Sequence, residues 1–319
     1  MATTKVTGLG DNFYVGGYNL SPDVSSLDTL SSPVQLIDIT TFTYKAYSRL
    51  GGKRDGAISF TTLLDINYPV ISNPGMPASN TPVTNTYGYP VYVTITGGTL
   101  TNVLVNGVSV GTTAGTYAVP VLGTIAITYS LAPTWNWFAL GTEHNALAPL
   151  PTSDVIFSYF QGSAVGNPAA SMNAKQVDYD PTRGTDASIT FKVDAQANSY
   201  GLEWGRQLTA GPRTDNGATT GAYFDSGVAG GAYGCQAYLH IFSLVGTNVD
   251  VTVTHATTSG GTYTTLLDFG SQTAIGGYRQ TVSNTTQVNE FLKVVTAGTF
   301  SQVIFAVNFV KNQTAGVTF

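Results

Sequence analysis

Residues 187–195 read ASITFKVDA, and their strict alternation constrains this chain more than any other feature. Ile189, Phe191 and Val193 fall on one side of an extended backbone, with Ser188, Thr190 and Lys192 on the other. That two-residue period is the mark of a half-buried strand. Comparable β-branched and aromatic runs stand at 57–65 (AISFTTLLD) and 154–162 (DVIFSYFQG), with turn residues close by. After a glycine-rich, irregular stretch at 200–227 the runs resume from residue 235: CQAYLHIFSLVG, NVDVTVTHA, TYTTLLDFG, EFLKVVTAG and SQVIFAVNFVKN. Five or more short strands so spaced predict an antiparallel sandwich or jelly roll. The 36 glycines and the many Thr, Val and Tyr residues favour strands and tight turns over helices. No solenoid-type repeat interrupts the pattern.

A length of 319 residues suggests two or three domains. Residues 68–90, rich in Pro, Asn, Ser and Thr, read as linker. A compact group of strands follows, in which Val91, Val93 and Ile95 share one face, as do Ile125, Ile127 and Tyr129. Asn106-Gly107 between valine-bearing runs is the strongest hairpin signal in the chain. The expected organisation is a discontinuous core domain (1–75 and 143–205), an inserted Ig-like small β-sandwich (80–138) and a C-terminal β-sandwich (206–319). Removing the insert would leave 57–65 and 154–162 free to become neighbours.

Only 10% of residues are charged, low for a surface wholly in water, and abundant Thr, Ser, Asn and Gly suit surfaces that pack against further copies. A net charge of −5 argues against nucleic-acid binding, which needs cations to neutralise phosphates. Cys235 is the single cysteine, so no intrachain disulfide forms; its small, apolar flanks predict a buried structural thiol. The first residues lack the apolar stretch of a signal peptide, and no run approaches the about 18 apolar residues of a membrane span. The expectation is a soluble chain made in a cytosol, with no membrane contact.

Residues 40–60, TTFTYKAYSRLGGKRDGAISF, depart from their surroundings, carrying Lys45, Arg49, Lys53 and Arg54 from a total of 13 basic residues. Tyr44, Tyr47 and Leu50, with Ala46, give a two-turn amphipathic face. Thr41 or Thr43 can serve as N-cap, and Gly51-Gly52 can supply a left-handed stop. The spacing predicts one short helix from Thr43. So short a helix is unstable alone and would have to dock its aromatic face on the sheet.

At this point a resemblance enters. Residues 6–65 and 150–205 resemble the major tail, or tail tube, proteins of long-tailed bacteriophages. In that family a strand ends in D-[IV]-T-x-F, matched by Asp38, Thr40 and Phe42. A second element, G-x-[KR]-D-G-x-[IL]-x-[FL], is matched by Gly52, Arg54, Asp55, Gly56, Ile58 and Phe60. The later segments GNPAA, DYDPTRG and SITF follow in the same order. The insert and the C-terminal sandwich look like accessory modules of phage virion proteins. The resemblance implies an all-β, mainly antiparallel fold, a tail-tube-like β-sandwich or barrel with one short helix, plus the inserted sandwich and a jelly-roll-like C-terminal one. It implies a non-enzymatic homo-oligomer in the virion, hexameric rings stacking into a tube through which genomic DNA passes unbound, alongside other phage tail proteins. A lumen that lets DNA slide should not offer clustered Lys or Arg. Lys45, Arg49, Lys53 and Arg54 would either pair with a neighbour's carboxylates or stay solvated. The competing function is a capsid decoration or a glycan- or receptor-binding virion protein.

Candidates for chemistry are few. His144, His240 and His255 are too scattered for a zinc pattern, and no G-x-S-x-G, P-loop or H-E-x-x-H occurs. Asp178, Asp180 and Asp186 offer carboxylates, but KQVDYDPTRGTD lacks EF-hand spacing and reads as a polar turn. Trp135 and Trp137, alternating on PTWNWF, either stack on a sugar or anchor the core of the insert. No cofactor is expected.

Overall fold

A computed structural model describes residues 8, 10–41, 43, 45–63, 72–87, 91–120, 122–138, 146–148, 153–186, 188–227, 229 and 231–314. The first stretch supplies β1 (Asn12–Val15), β2 (Tyr18–Asn19), β3 (Val24–Ser31), β4 (Val34–Asp38), β5 (Arg49–Arg54) and β6 (Ala57–Leu63). Next come β7 (Val83–Thr84), β8 (Val91–Thr96), β9 (Thr99–Val105), β10 (Val108–Gly111), β11 (Gly115–Val119), β12 (Thr124–Leu131) and β13 (Thr134–Phe138). They are followed by β14 (Val155–Phe160), β15 (Pro168–Arg183), β16 (Ile189–Ala197), β17 (Glu203–Gln207), β18 (Arg213–Asp215), β19 (Thr219–Thr220) and β20 (Phe224–Asp225). The last four are β21 (Cys235–Ala256), β22 (Thr264–Gln272), β23 (Gly276–Thr281) and β24 (Phe291–Lys311). The all-β, antiparallel class read from the alternation is what the chain adopts. Among the described residues its sheets do not close on themselves, so the core is a sandwich and not a barrel.

The 16-residue β15 organises the first sandwich. Its first half pairs with β14 and β17, its second half with β16, and Ala174 is partnered by both Val155 and Ala197. One strand thus serves two layers, and the chain turns the corner without a loop. Beyond Ala174, among the described residues, it pairs with β16 alone, an edge position that tolerates Pro181. The two layers close on Phe13, Ile58, Phe60, Phe157, Met172 and Val193, with the Phe13 and Phe60 rings 4.5 Å apart. Strands β6 and β14 therefore share a sheet and face each other through this core, but β16 and β15 stand between them in the hydrogen-bonded order.

From β7 to β13 two smaller sheets, β10-β9-β12-β7 and β11-β8-β13, enclose their own cluster of Val91, Val93, Ile95, Ile125, Ile127, Trp135 and Trp137. Asn106 and Gly107 make the tight turn expected of them, with φ of 52° and 77° and Val105 opposite Val108.

The C-terminal region differs from the expectation of many short strands. CQAYLHIFSLVG and NVDVTVTHA merge into the 22-residue β21, and EFLKVVTAG and SQVIFAVNFVKN into the 21-residue β24, paired along their length. The apparent breaks are β-bulges, at Ile241/Ser243 and around Gly246. At Gly246 φ is 157°, and an added Cβ would lie 2.4 Å from Phe300 Cα, so only glycine lets the strands bend there while staying paired. Val251, Val253, Val294, Val303 and Phe305 fill the core of this region.

Candidate functional site

Two places in the molecule hold its unusual chemistry: a ribbon that leaves the body, and a polar seam inside it. The ribbon is β4–β5. It continues the β3–β6 pair outward, Ser31 facing Ala57, Asp55 N–H donating to Pro33 O at 2.9 Å, then Val34 facing Arg54. At this joint Gly56 runs so close to the body that an added Cβ would be 2.5 Å from Leu202 N. The tip is shaped by Asp38, whose carboxylate accepts from Thr40 N–H at 2.9 Å and from Thr40 Oγ1, while Ser48 N–H donates to Thr40 Oγ1 at 2.8 Å. These bonds to its charged form hold the Asp38 carboxyl below the usual range.

Among the described residues the expected helix is absent. Arg49 to Arg54 form a strand, Gly51 and Gly52 lie inside it, and Lys45 and Ala46 sit in a bend; Phe42 and Tyr44 are outside the described residues. Eight residues cannot meet the cost of helix nucleation without a surface to dock on, and among the described residues none packs beneath them. The Asp38–Thr40 turn instead returns the chain on itself and pairs Asp38 with Arg49, an opposite-charge cross-strand pair. Lys45, Arg49, Lys53 and Arg54 are all exposed, the Arg49 guanidinium lying 4.9 Å over the Tyr47 ring. They are brought together on the arm, as cations of a ribbon.

The arm is also apolar, and on both faces. Val34 and Leu36 point one way along β4, Ile37 and Ile39 the other, and Tyr47 and Leu50 join them. Leu36 is 62% exposed, Leu50 54% and Tyr47 73%. All five residues of β4 are exposed. The spacing in the sequence places Tyr47 and Leu50 on a docked helix; the signal it misses is the double parity of VQLIDI, apolar at both odd and even positions.

The seam lies where the β1–β14–β15 layer meets β21 and β24. Gly17 N–H donates to His240 Nδ1 at 3.3 Å, so Nε2 carries the proton and donates to Ser158 Oγ at 2.8 Å. Ser158 Oγ and Ser171 Oγ share a hydrogen bond at 2.7 Å, and Ser171 Oγ also accepts from Asn308 Nδ2 at 2.8 Å. His240 is fully buried, and desolvation pushes its pKa down to about 3. This Ser–His contact holds a neutral imidazole behind closed walls and gives a substrate no approach to the hydroxyl. A second buried group ties β17 to β21 and β23: Glu203 accepts from Gln236 Nε2 at 3.0 Å, from Arg279 Nη2 at 3.3 Å and from the Tyr238 hydroxyl, and the Arg279 guanidinium lies 3.6 Å over Tyr200. Neither group was singled out from sequence, because its members are spread from residue 158 to 308 and from 200 to 279.

The remaining candidates are structural. Trp135 and Trp137 are 8% and 3% exposed, edge to face at 5.4 Å, with Trp135 Nε1 donating to Pro74 O at 2.8 Å. They are the anchor of the small two-sheet core and leave no ring face for a sugar. Asp178 and Asp180 lie within β15, not in a turn; the turn comes later, where Asp186 accepts from Ser188 N–H at 3.1 Å. His255 Nδ1 accepts from Asn289 N–H at 3.2 Å, and His144 is outside the described residues. Among the described residues, no three His, Cys, Asp or Glu side chains are placed to hold a metal ion together. Cys235 is buried, its thiol pushed up to about 12 by desolvation.

No protein-family model matches the sequence, and no curated protein matches it. Among solved structures the chain is similar to SPP1 Dit (gp 19.1), described as a paradigm of the hub adsorption apparatus in phages infecting Gram-positive bacteria. The alignment covers 96% of this chain and 100% of that one, at 8% identity and a TM-score of 0.28. A likeness that low assigns neither fold nor role.

Proposed function

We propose that this chain is a non-enzymatic structural subunit of a bacteriophage virion that assembles with copies of itself, and that the β4–β5 arm is what each copy offers the next. The observation that carries this reading is a two-stranded ribbon, apolar on both faces, that its own chain leaves uncovered. An isolated two-stranded ribbon is marginal in water, and a cluster of large exposed apolar side chains marks a contact surface. An arm received by a different surface of the neighbour makes head-to-tail contacts, which close into rings. The cations at 45, 49, 53 and 54 meet a chain with 18 acidic and 13 basic residues, so carboxylates are available to receive them.

The phage setting rests on the resemblance of residues 6–65 and 150–205 to tail tube proteins. Its degenerate motif positions have physical work here: Asp38 and Thr40 shape the tip of the arm, and Gly56 seats its base. The finer reading is a tail tube ring, hexameric by resemblance and stacked into a DNA conduit. Light scattering over a concentration series, with negative-stain imaging, should show rings or hollow filaments. Leu36→Lys combined with Leu50→Lys should leave the unfolding midpoint unchanged and abolish assembly. A wild-type chain that stays monomeric at every concentration overturns the proposal.

A further inference from the structure

A second exposed feature is built on opposite principles from the arm. Strand β17 turns Glu203 and Gln207 into the protein and Trp204 and Arg206 outward. Trp204 is 51% exposed, whereas Trp135 and Trp137 are buried. Beside it opens a cleft of about 400 Å³, lined by Trp204, Arg206, Phe224, Ser226 and Lys311, within the range of small-ligand sites. Lys311 Nζ donates to Ser226 Oγ at 3.0 Å, and among the described residues Arg206 makes one hydrogen bond, to Gly166 O at 3.3 Å, out of five donors. Burial disfavours the charged form of Lys311, and the nearby Glu290 only partly offsets that. Two basic side chains, Arg206 and Lys311, flank an aromatic platform in a chain whose net charge is −5.

We infer that this cleft binds an anionic saccharide, the apolar face of one pyranose ring lying on Trp204 and its carboxylate or phosphate taken by Arg206 and Lys311. Tryptophan supplies a large flat apolar face with a wet edge. The planar guanidinium matches a carboxylate or a phosphate, and charge-assisted bonds of this kind are the strong ones. A protein strand is a poor fit here, because β17 already pairs with β15 from Glu203 to Arg206 and with β24 at Arg206 and Gln207. Nucleic acid is disfavoured by the acidic whole. The inference is independent of the arm, which lies on other strands.

The full chain is titrated with an oligogalacturonate, with a glycerol-phosphate oligomer and with a neutral malto-oligosaccharide, followed by tryptophan emission and by calorimetry. A saturable response to one or both anionic probes is expected, and the two arms tell carboxylate from phosphate recognition. The neutral sugar should bind at least about tenfold more weakly, as should either anion to Arg206→Gln or Lys311→Gln, a factor in keeping with loss of one charged hydrogen bond. Trp204→Ala should remove the calorimetric heat while the unfolding midpoint stays put. No saturation by either anionic probe up to about 10 mM, a range of only millimolar affinity, overturns the inference. So does equal binding of the neutral sugar, or a Trp204 emission already shielded in the assembled protein, which would mean that a second copy occupies the cleft.

Discussion

Strands β14 and β4 are written in similar residues, VIFSYF and VQLID, and meet opposite fates. β14 is flanked by β1 and β15, with Phe157 turned into the first core and Ser158 into the seam with His240. Both of its faces are covered by its own chain. β4 has one strand beside it and every residue exposed. A strand with apolar residues at both parities asks for cover on both faces, and the comparison separates cover supplied within the chain from cover left for another molecule.

The comparison can be broken by substitution. Phe157→Ala should cost about 3–5 kcal/mol of unfolding free energy, as a cavity in a closed core does. Leu50→Ala on the arm should cost no more than about 0.5 kcal/mol in the monomer. Urea denaturation at low protein concentration measures both, and similar losses at the two sites would erase the distinction. Glu203→Ala should come next, at about 3 kcal/mol, because it leaves the buried Arg279 guanidinium without its carboxylate. Glu203→Gln, which keeps an acceptor, should lose less.

A further effect is set by pH and sharpens the picture of the seam. The folded state holds His240 neutral, with a pKa near 3 against an ordinary 6.5. Below pH 6.5 the unfolded chain takes up a proton that the folded chain refuses until about 3. This contribution is therefore complete above 6.5, shrinks as pH falls between those values and is lost below about 3. At pH 5 the loss should be about 2 kcal/mol relative to pH 7.5. His240→Gln should flatten the slope in that window; an unchanged slope would place the proton elsewhere.

Much of the fold was legible in local sequence. The alternation from Ile189 to Ala195 became part of β16, Asn106-Gly107 became the tight turn, and Trp135 with Trp137 became a core pair. The site was less so. Residues 43–50 carry helical spacing, yet the Asp38–Thr40 bonds turn the chain back and Arg49 and Leu50 pair with Asp38 and Ile37 as the return of a ribbon. LVGTNV reads like a turn between strands, and only the approach of Phe300 shows Gly246 to be a bulge. Trp204 stood at the head of a stretch that read as irregular, because its exposure depends on β15 and β24.

By itself the sequence determined the class of the fold, the positions of most strands and the scarcity of charge, because a two-residue period and turn chemistry act over a few neighbouring residues. Tertiary structure alone decided which double-sided strand is buried and which is exposed, where the seam of His240 and Glu203 forms, and that Trp204, Arg206 and Lys311 meet. Those outcomes depend on contacts between residues far apart in the chain, and periodicity carries no information about them.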